Sequence, residues 1–235
     1  MASISERTFG SRLLKAQDMA TYIAGFVGYA PPRPQESVVN FNLLIDNVIT
    51  ANTDETTAET EYTSAVSNRH NAFRTNPNCV YKLLALINGA VSSQYGRKHS
   101  KTVQISALIR KLRTGKLIKV PASATAPSYL LSQSEQSYGS ITQSFNDIIT
   151  TLTVFGDFAP SNVNLQIATL QTFSASLTTL NKVVPETRSE LKTARDKRLT
   201  LYVELSDRAT RIKEYVKSNY GTQSPEYALV KGLKI

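Results

Sequence analysis

Residues 38–73 read VVNFNLLIDNVITANTDETTAETEYTSAVSNRHNAF. Val38, Phe41, Leu44, Ile45, Val48, Ala51, Glu55, Ala58, Tyr62, Ala65, Arg69, Ala72 and Phe73 recur at steps of three or four. Such spacing keeps all of them on one face of an α-helix. It predicts a single helix of about 36 residues, far longer than the usual three or four turns. The middle of the stretch is rich in threonine, which lowers helix propensity slightly, so tertiary packing must supply the difference. Flanking segments have the same period. Leu13, Ala16, Ala20, Ile23, Ala24 and Val27 define an earlier helix, expected to end before Ala30-Pro31, because a residue preceding proline is pushed out of the helical region. Asn76-Pro77 reads as an N-cap followed by proline at the first helical position, opening a helix that carries Val80, Leu83, Leu84, Ile87 and Val91. No segment alternates like a strand, and the expectation is an all-α fold.

The sequence then repeats itself. Glu6-x-x-Phe9-Gly10-Ser11 returns as Glu135-x-x-Tyr138-Gly139-Ser140, and Tyr29-Ala30-Pro31 as Phe158-Ala159-Pro160. Asp18, Thr21, Asn52, Ala65, Arg69 and Phe73 meet Asp147, Thr150, Asn181, Ala194, Arg198 and Tyr202, all at an offset of 129. Further on the offset becomes 125, where Ile87, Val91, Ser93, Tyr95, Gly96 and Leu108 meet Ile212, Val216, Ser218, Tyr220, Gly221 and Leu233. Matches at constant offset across whole halves indicate a tandem duplication. The expected organisation is a first helical repeat over 1–119, a linker over 120–134 that includes Pro121 to Pro127, and a second repeat over 135–235. Each repeat is expected to hold about four helices, some of them long, in an elongated bundle. Gly96 and Gly221 are placed to end helices in the left-handed conformation. Ser224-Pro225-Glu226 is a helix start, and Pro185 should kink or break the long helix of the second repeat.

Tyr138-Gly-Ser, Phe158-Ala-Pro and Tyr220-Gly221-x-x-Ser224-Pro225-Glu226-Tyr227-x-x-Val230-x-x-Leu233-Lys234 resemble a group of bacterial all-helical proteins built from a tandem-duplicated repeat, for which no activity is established. The resemblance implies a duplicated helical fold and transfers no site.

Charge distinguishes the two repeats. The formal net charge is +9, yet residues 62–134 contain no acid. Within that stretch Arg97, Lys98, Lys101, Arg110, Lys111, Arg113, Lys116 and Lys119 form a local positive field. Three partners suit such a patch: solvent alone, an acidic protein surface, and nucleic acid or anionic lipid. Just upstream, Glu36, Asp46, Asp54, Glu55, Glu59 and Glu61 form an acidic stretch without a base. That stretch on another copy is a natural complement. Asp18 and Asp147 are each expected to pair with Arg69 or Arg198, and Glu6 and Glu135 to serve helix N-termini.

Motifs for nucleotide, metal or nucleophilic chemistry are missing from the sequence. His70, His99 and the single Cys79 have no metal-ligand spacing; Cys79 is expected to be a small buried residue. No cofactor is expected. The opening residues, Met1 to Glu6, lack the basic and apolar regions of a secretory signal, and no apolar run reaches the roughly 20 residues of a transmembrane helix. A cytoplasmic location is expected. The leading expectation is a non-enzymatic structural or interaction protein that self-associates, with filaments as one form. The alternative is a basic helical protein that binds nucleic-acid phosphates through residues 97–119. An enzyme with a site between the repeats ranks third, and a pore-forming toxin lacks its apolar hairpin.

Overall fold

The computed structural model describes residues 8–113, 117–120, 129–132 and 137–235, with side chains described for 8–112 and 137–235. Among the described residues seven helices carry the fold: α1 (Phe9–Ala24), α2 (Val38–His70), α3 (Val80–Tyr95), α4 (Ser100–Arg113), α5 (Tyr138–Phe155), α6 (Ile167–Tyr220) and α7 (Pro225–Lys231). Two short strands, β1 (Leu117–Val120) and β2 (Tyr129–Ser132), pair antiparallel, with Leu117 opposite Ser132 and Val120 opposite Tyr129. This pair falls at the start of and within the stretch expected as a linker; the described fold is otherwise helical, in line with the all-α expectation. Leu117-Ile-Lys-Val120 and Tyr129-Leu-Leu are rich in residues that favour a pleated surface. Glu6, Glu135 and Lys116 lie outside the described residues.

The long helix forms as its spacing predicts. Helix α2 runs for 33 residues and passes directly into a π-helical turn, Asn71–Thr75. Asn76 N–H closes that turn on Asn71 O at 2.9 Å. The closure corrects the expected cap: Asn76 and Pro77 lie in a turn, and Cys79 is the N-cap of α3. Cys79 is fully buried. Helices α1 and α5 stop well before their Ala-Pro pairs, at Gly25 and at the left-handed Gly156. Gly96 and Gly221 have φ of +89° and +98°, a backbone that side-chain-bearing residues rarely adopt. Ser224 caps α7 by accepting from Tyr227 N–H.

Pro185 does not end its helix. Helix α6 continues for 54 residues through it, so the second half of the chain has three helices where the first has four. Proline interrupts helices by removing one N–H and crowding the carbonyl of the preceding turn, at about 3 kcal/mol. Two features oppose that here. Leu177, Val184 and Leu191, seven residues apart, are all buried on one face. Thr187 Oγ1 donates to Val183 O at 3.0 Å and Val184 O at 3.2 Å, adding bonds to the turn that contains the proline.

The chain divides into two compact units that do not coincide with the sequence repeats. Unit 1 comprises residues 1–61 and 188–235, and unit 2 comprises residues 62–187. The core of unit 1 joins Ala16, Met19, Ala20, Ile23, Phe41 and Val48 of α1 and α2 to Tyr202, Leu205, Ala209, Ile212, Val216 and Val230 of α6 and α7. In unit 2, Phe73, Val80, Leu84, Ile87, Val91 and Ile105 meet Phe145, Ile148, Ile149, Leu152, Leu170 and Leu177. Each core therefore takes one face from each half of the sequence. Position by position, the first six residues of each set lie 129 or 125 apart from core residues of the other unit: Ala16 and Phe145, Met19 and Ile148, Phe41 and Leu170, Phe73 and Tyr202, Val80 and Leu205, Ile105 and Val230.

Replacing Pro185 by Ala is expected to raise stability by about 1–3 kcal/mol, since the helix already continues without the missing N–H. Urea denaturation followed by circular dichroism measures it; a loss of stability would mean that the proline fits a local geometry that alanine cannot keep.

Candidate functional site

The most densely bonded region of unit 1 is the meeting of α1, α2 and α6. Glu55, facing inward on α2 and only 6% exposed, accepts from Arg198 at 2.8 Å and from Arg195 at 3.1 Å. Arg195 also reaches Glu59 at 3.2 Å, and Lys197 reaches Asp54 at 2.9 Å. The Arg198 guanidinium lies 4.5 Å from the Phe9 ring centroid. Phe9 in turn packs on the fully buried Tyr202, with centroids 4.5 Å apart. The Tyr202 hydroxyl donates to Phe9 O at 3.0 Å and accepts from Asn52 Nδ2 at 3.0 Å. Arg12 donates to Tyr202 O at 2.9 Å. Both faces of this clasp come from opposite ends of the sequence. The helix-start aromatic Phe9, with Thr8 capping Ser11 N–H, is held by the Arg-x-x-x-Tyr face of α6.

Unit 2 holds a related clasp in which Phe73 lacks the hydroxyl of Tyr202 and Val66 stands at the position of Arg195. Arg69 lies 4.3 Å from the Tyr138 ring, and Tyr138 packs on Phe73 at 4.9 Å. Asn181 Nδ2 donates to Thr142 Oγ1 at 3.0 Å. These residues occupy the positions of Arg198, Phe9, Tyr202 and Asn52. The position of Glu55, however, is taken by the buried Val184. Arg69 Nε is buried without a hydrogen-bond partner, and no carboxylate bonds to Arg69 among the described residues.

A second pair of matching contacts lies at the other helix ends. Tyr220 packs edge-on against Phe26 at 5.7 Å and donates to Val27 O in unit 1. In unit 2, Tyr95 packs edge-on against Phe155 at 5.9 Å. There the Tyr95 hydroxyl donates to Asp157 at 2.6 Å and Lys101 pairs with the same carboxylate at 2.5 Å. The Lys101 ammonium, followed by the Tyr95 hydroxyl, holds Asp157 below its ordinary carboxylate value. Desolvation and then Asp157 push Tyr95 up to about 12. Burial, with Tyr215 and Glu36 nearby, likewise raises Tyr29, whose hydroxyl donates to Glu36 O.

The expected acidic face is largely spent inside the chain. Asp54, Glu55 and Glu59 pair with α6 as described, and Glu36 is buried beside Arg33 at 3.5 Å. Asp46 and Glu61 remain exposed. The basic tract is also divided. Arg97 and Lys98 are exposed. Lys101 is bound to Asp157, and Arg110 and Lys111 have interactions of their own. Arg113 and Lys119 are placed in α4 and β1 by their backbone alone, and Lys116 lies outside the described residues. The expected pairs of Asp18 or Asp147 with Arg69 or Arg198 do not form. Arg198 is taken by Glu55, Arg69 by the Tyr138 ring, and Asp147 accepts from Gln143. An added Cβ at Gly10 or Gly139 would meet nothing, so close packing does not explain these glycines.

Clefts within the units are shallow. One of about 610 Å³ is lined by Asn88, Ser92, Ser93, Arg97, Thr102 and Ser106. Another of about 490 Å³ lies along Pro31, Pro32, Arg211 and Tyr215. Among the described residues no group of three or more His, Cys, Asp or Glu is arranged to hold a metal ion, and no helix is long and apolar enough to cross a membrane. No protein-family model, curated protein or solved structure matches the chain.

Changing Glu55 to Gln is expected to cost about 3 kcal/mol, because it leaves two guanidinium groups facing a buried amide. Changing the exposed Lys197 to Ala should cost below about 1 kcal/mol. Chemical denaturation of the two variants checks the contrast. A pH series tests the second contact. Because Asp157 has a lowered value in the folded protein, its contribution is present above the ordinary carboxylate value and is lost as pH falls through the lowered one. The stability gap between the parent and Asp157→Asn is expected to close as pH falls below the ordinary carboxylate value and through the lowered one.

Proposed function

We propose that this chain is a non-enzymatic structural and interaction protein, made of two homologous helical repeats that bind each other, and that it self-associates. The observation that carries this reading is the crosswise composition of the two cores. Unit 1 unites the start of the first half with the end of the second, and unit 2 unites the remaining segments, with Phe9–Tyr202 and Tyr138–Phe73 at equivalent positions. A repeat of this design has its binding partner built into its own ancestry: the surface it recognises is a copy of itself. Recognition of like by like is the usual origin of symmetric oligomers. Residues 1–113 and 138–235 thus act as two subunits carried on one chain.

The charge pattern supports pairing of unlike repeats. Glu55 is matched by Arg195 and Arg198, whereas Val184 stands at its counterpart position. Two second repeats brought together would set both arginines against Val184. Unit 2 accommodates one such arginine, Arg69, over the Tyr138 ring; a pair of second repeats would have to accommodate two, and desolvated charge without a partner makes that the less favourable pair.

Light scattering over a range of protein concentrations tests the reading. Dimers or larger species are expected to grow with concentration. A monomer of constant mass up to several hundred micromolar would remove self-association from the proposal.

A further inference from the structure

We infer that copies of this chain associate by exchanging halves, so that residues 1–113 of one copy pair with residues 138–235 of a second. The inference rests on the self-association reading above and specifies its surface and partner. The partner is another molecule of this same protein, and the surface is the one already buried in both cores.

Three observations carry it. First, both cores need both halves. Phe41 and Ile23 share one buried cluster with Tyr202 and Ile212, and Leu84 and Ile105 share the other with Phe145 and Leu152. Second, one stretch of chain, residues 114–137, joins the halves, and the clasp residues named above, Phe9, Glu55, Arg69, Phe73, Tyr138, Asn181, Arg198 and Tyr202, all lie outside it. Re-routing that connection to a second copy leaves those residues their described partners. Third, the contacts that join the halves are long-range and specific: Glu55 with Arg198, Tyr202 with Phe9, and Tyr138 with Arg69. A second copy presents all of them unchanged.

Mass action and barrier height then determine when exchange occurs. Being joined in one chain gives each half an effective concentration of about a millimolar for its own partner. Closure within one chain dominates in dilute solution, and exchange competes as the protein approaches that range. Opening a closed molecule uncovers both cores at once, so exchange in a folded sample is slow, and refolding at high concentration is the productive route. Reciprocal exchange between two copies closes a dimer. Exchange passed on from copy to copy runs open, as a filament.

The experiment uses full-length chain with a protease site replacing residues 122–126. One batch is isotopically heavy and the other light. The batches are unfolded together, refolded at about 1 mM, and the associated fraction is isolated. The link is then cut and the released pairs of halves are weighed by native mass spectrometry. Exchange between two copies gives about half of the pairs as one light and one heavy half. Batches cut before mixing report re-pairing during the measurement. Associated protein that yields only all-light and all-heavy pairs overturns exchange and leaves self-association standing. Mixed pairs from the refolded sample, with protein from cells monomeric, do the reverse. A failure of both leaves neither proposal.

A charge reversal gives a second measurement that does not depend on cutting. One full-length variant carries Glu55→Arg, and another carries Arg195→Glu with Arg198→Glu. Each alone opposes like charges in unit 1. Refolded together, exchanged dimers restore opposite charges at both copies of the clasp. A mixture melting at least several degrees above either variant is the expected result; melting of the mixture as the simple sum of the two counts against exchange.

Discussion

The constraint on which this structure depends is that each apolar core is shared between the two halves of the sequence. The helices of residues 9–61 present Ala16, Met19, Ile23, Phe41 and Val48, and what closes over them is the far end of the chain, Tyr202 to Val230. The middle of the chain is closed in the same manner by Ile141 to Leu177. Burial of large apolar side chains is worth roughly 1.5–3 kcal/mol each, so the crosswise arrangement, and not any single pair, holds the most free energy. The clasps of arginine, aromatic ring and asparagine fix which face meets which. Hydrophobic burial alone is indifferent to register, whereas a desolvated Glu55 tolerates only a neighbour that supplies guanidinium.

Much of the helical scaffold was legible from spacing. The three–four rhythm of residues 38–73 placed α2 to within a few residues, and Ser224-Pro225 placed the start of α7. Local signals failed where distant contacts outweighed them. Pro185 is an intrinsic breaker, but the buried row Leu177, Val184 and Leu191 holds α6 together around it. Asn76-Pro77 has the chemistry of a helix start, but the π turn before it uses the Asn76 N–H first.

The expected site residues were chosen by charge, whereas the clasps were marked in the sequence only by the repeat. Constant offsets singled out Phe9 and Tyr138, Phe73 and Tyr202, and Arg69 and Arg198, all of which sit in the clasps. Proximity in sequence suggested pairing within a half, as for Asp18 with Arg69. Single-sequence comparison reports which positions are shared; it has no term for whether a shared face is covered by its own half or by the other. The acidic stretch misled for a related reason. Asp54, Glu55 and Glu59 looked unpaired because no base lies near them in sequence, while their bases stand about 140 residues away on α6.

That separation has a consequence for synthesis. The Tyr202 hydroxyl bonds to the carbonyl of Phe9, 193 residues earlier. At bacterial or eukaryotic elongation rates, a nascent chain spends roughly 10 to 40 seconds with Phe9 emerged and its cover not yet made. During that interval α1 and the start of α2 expose the apolar face that the finished protein never shows.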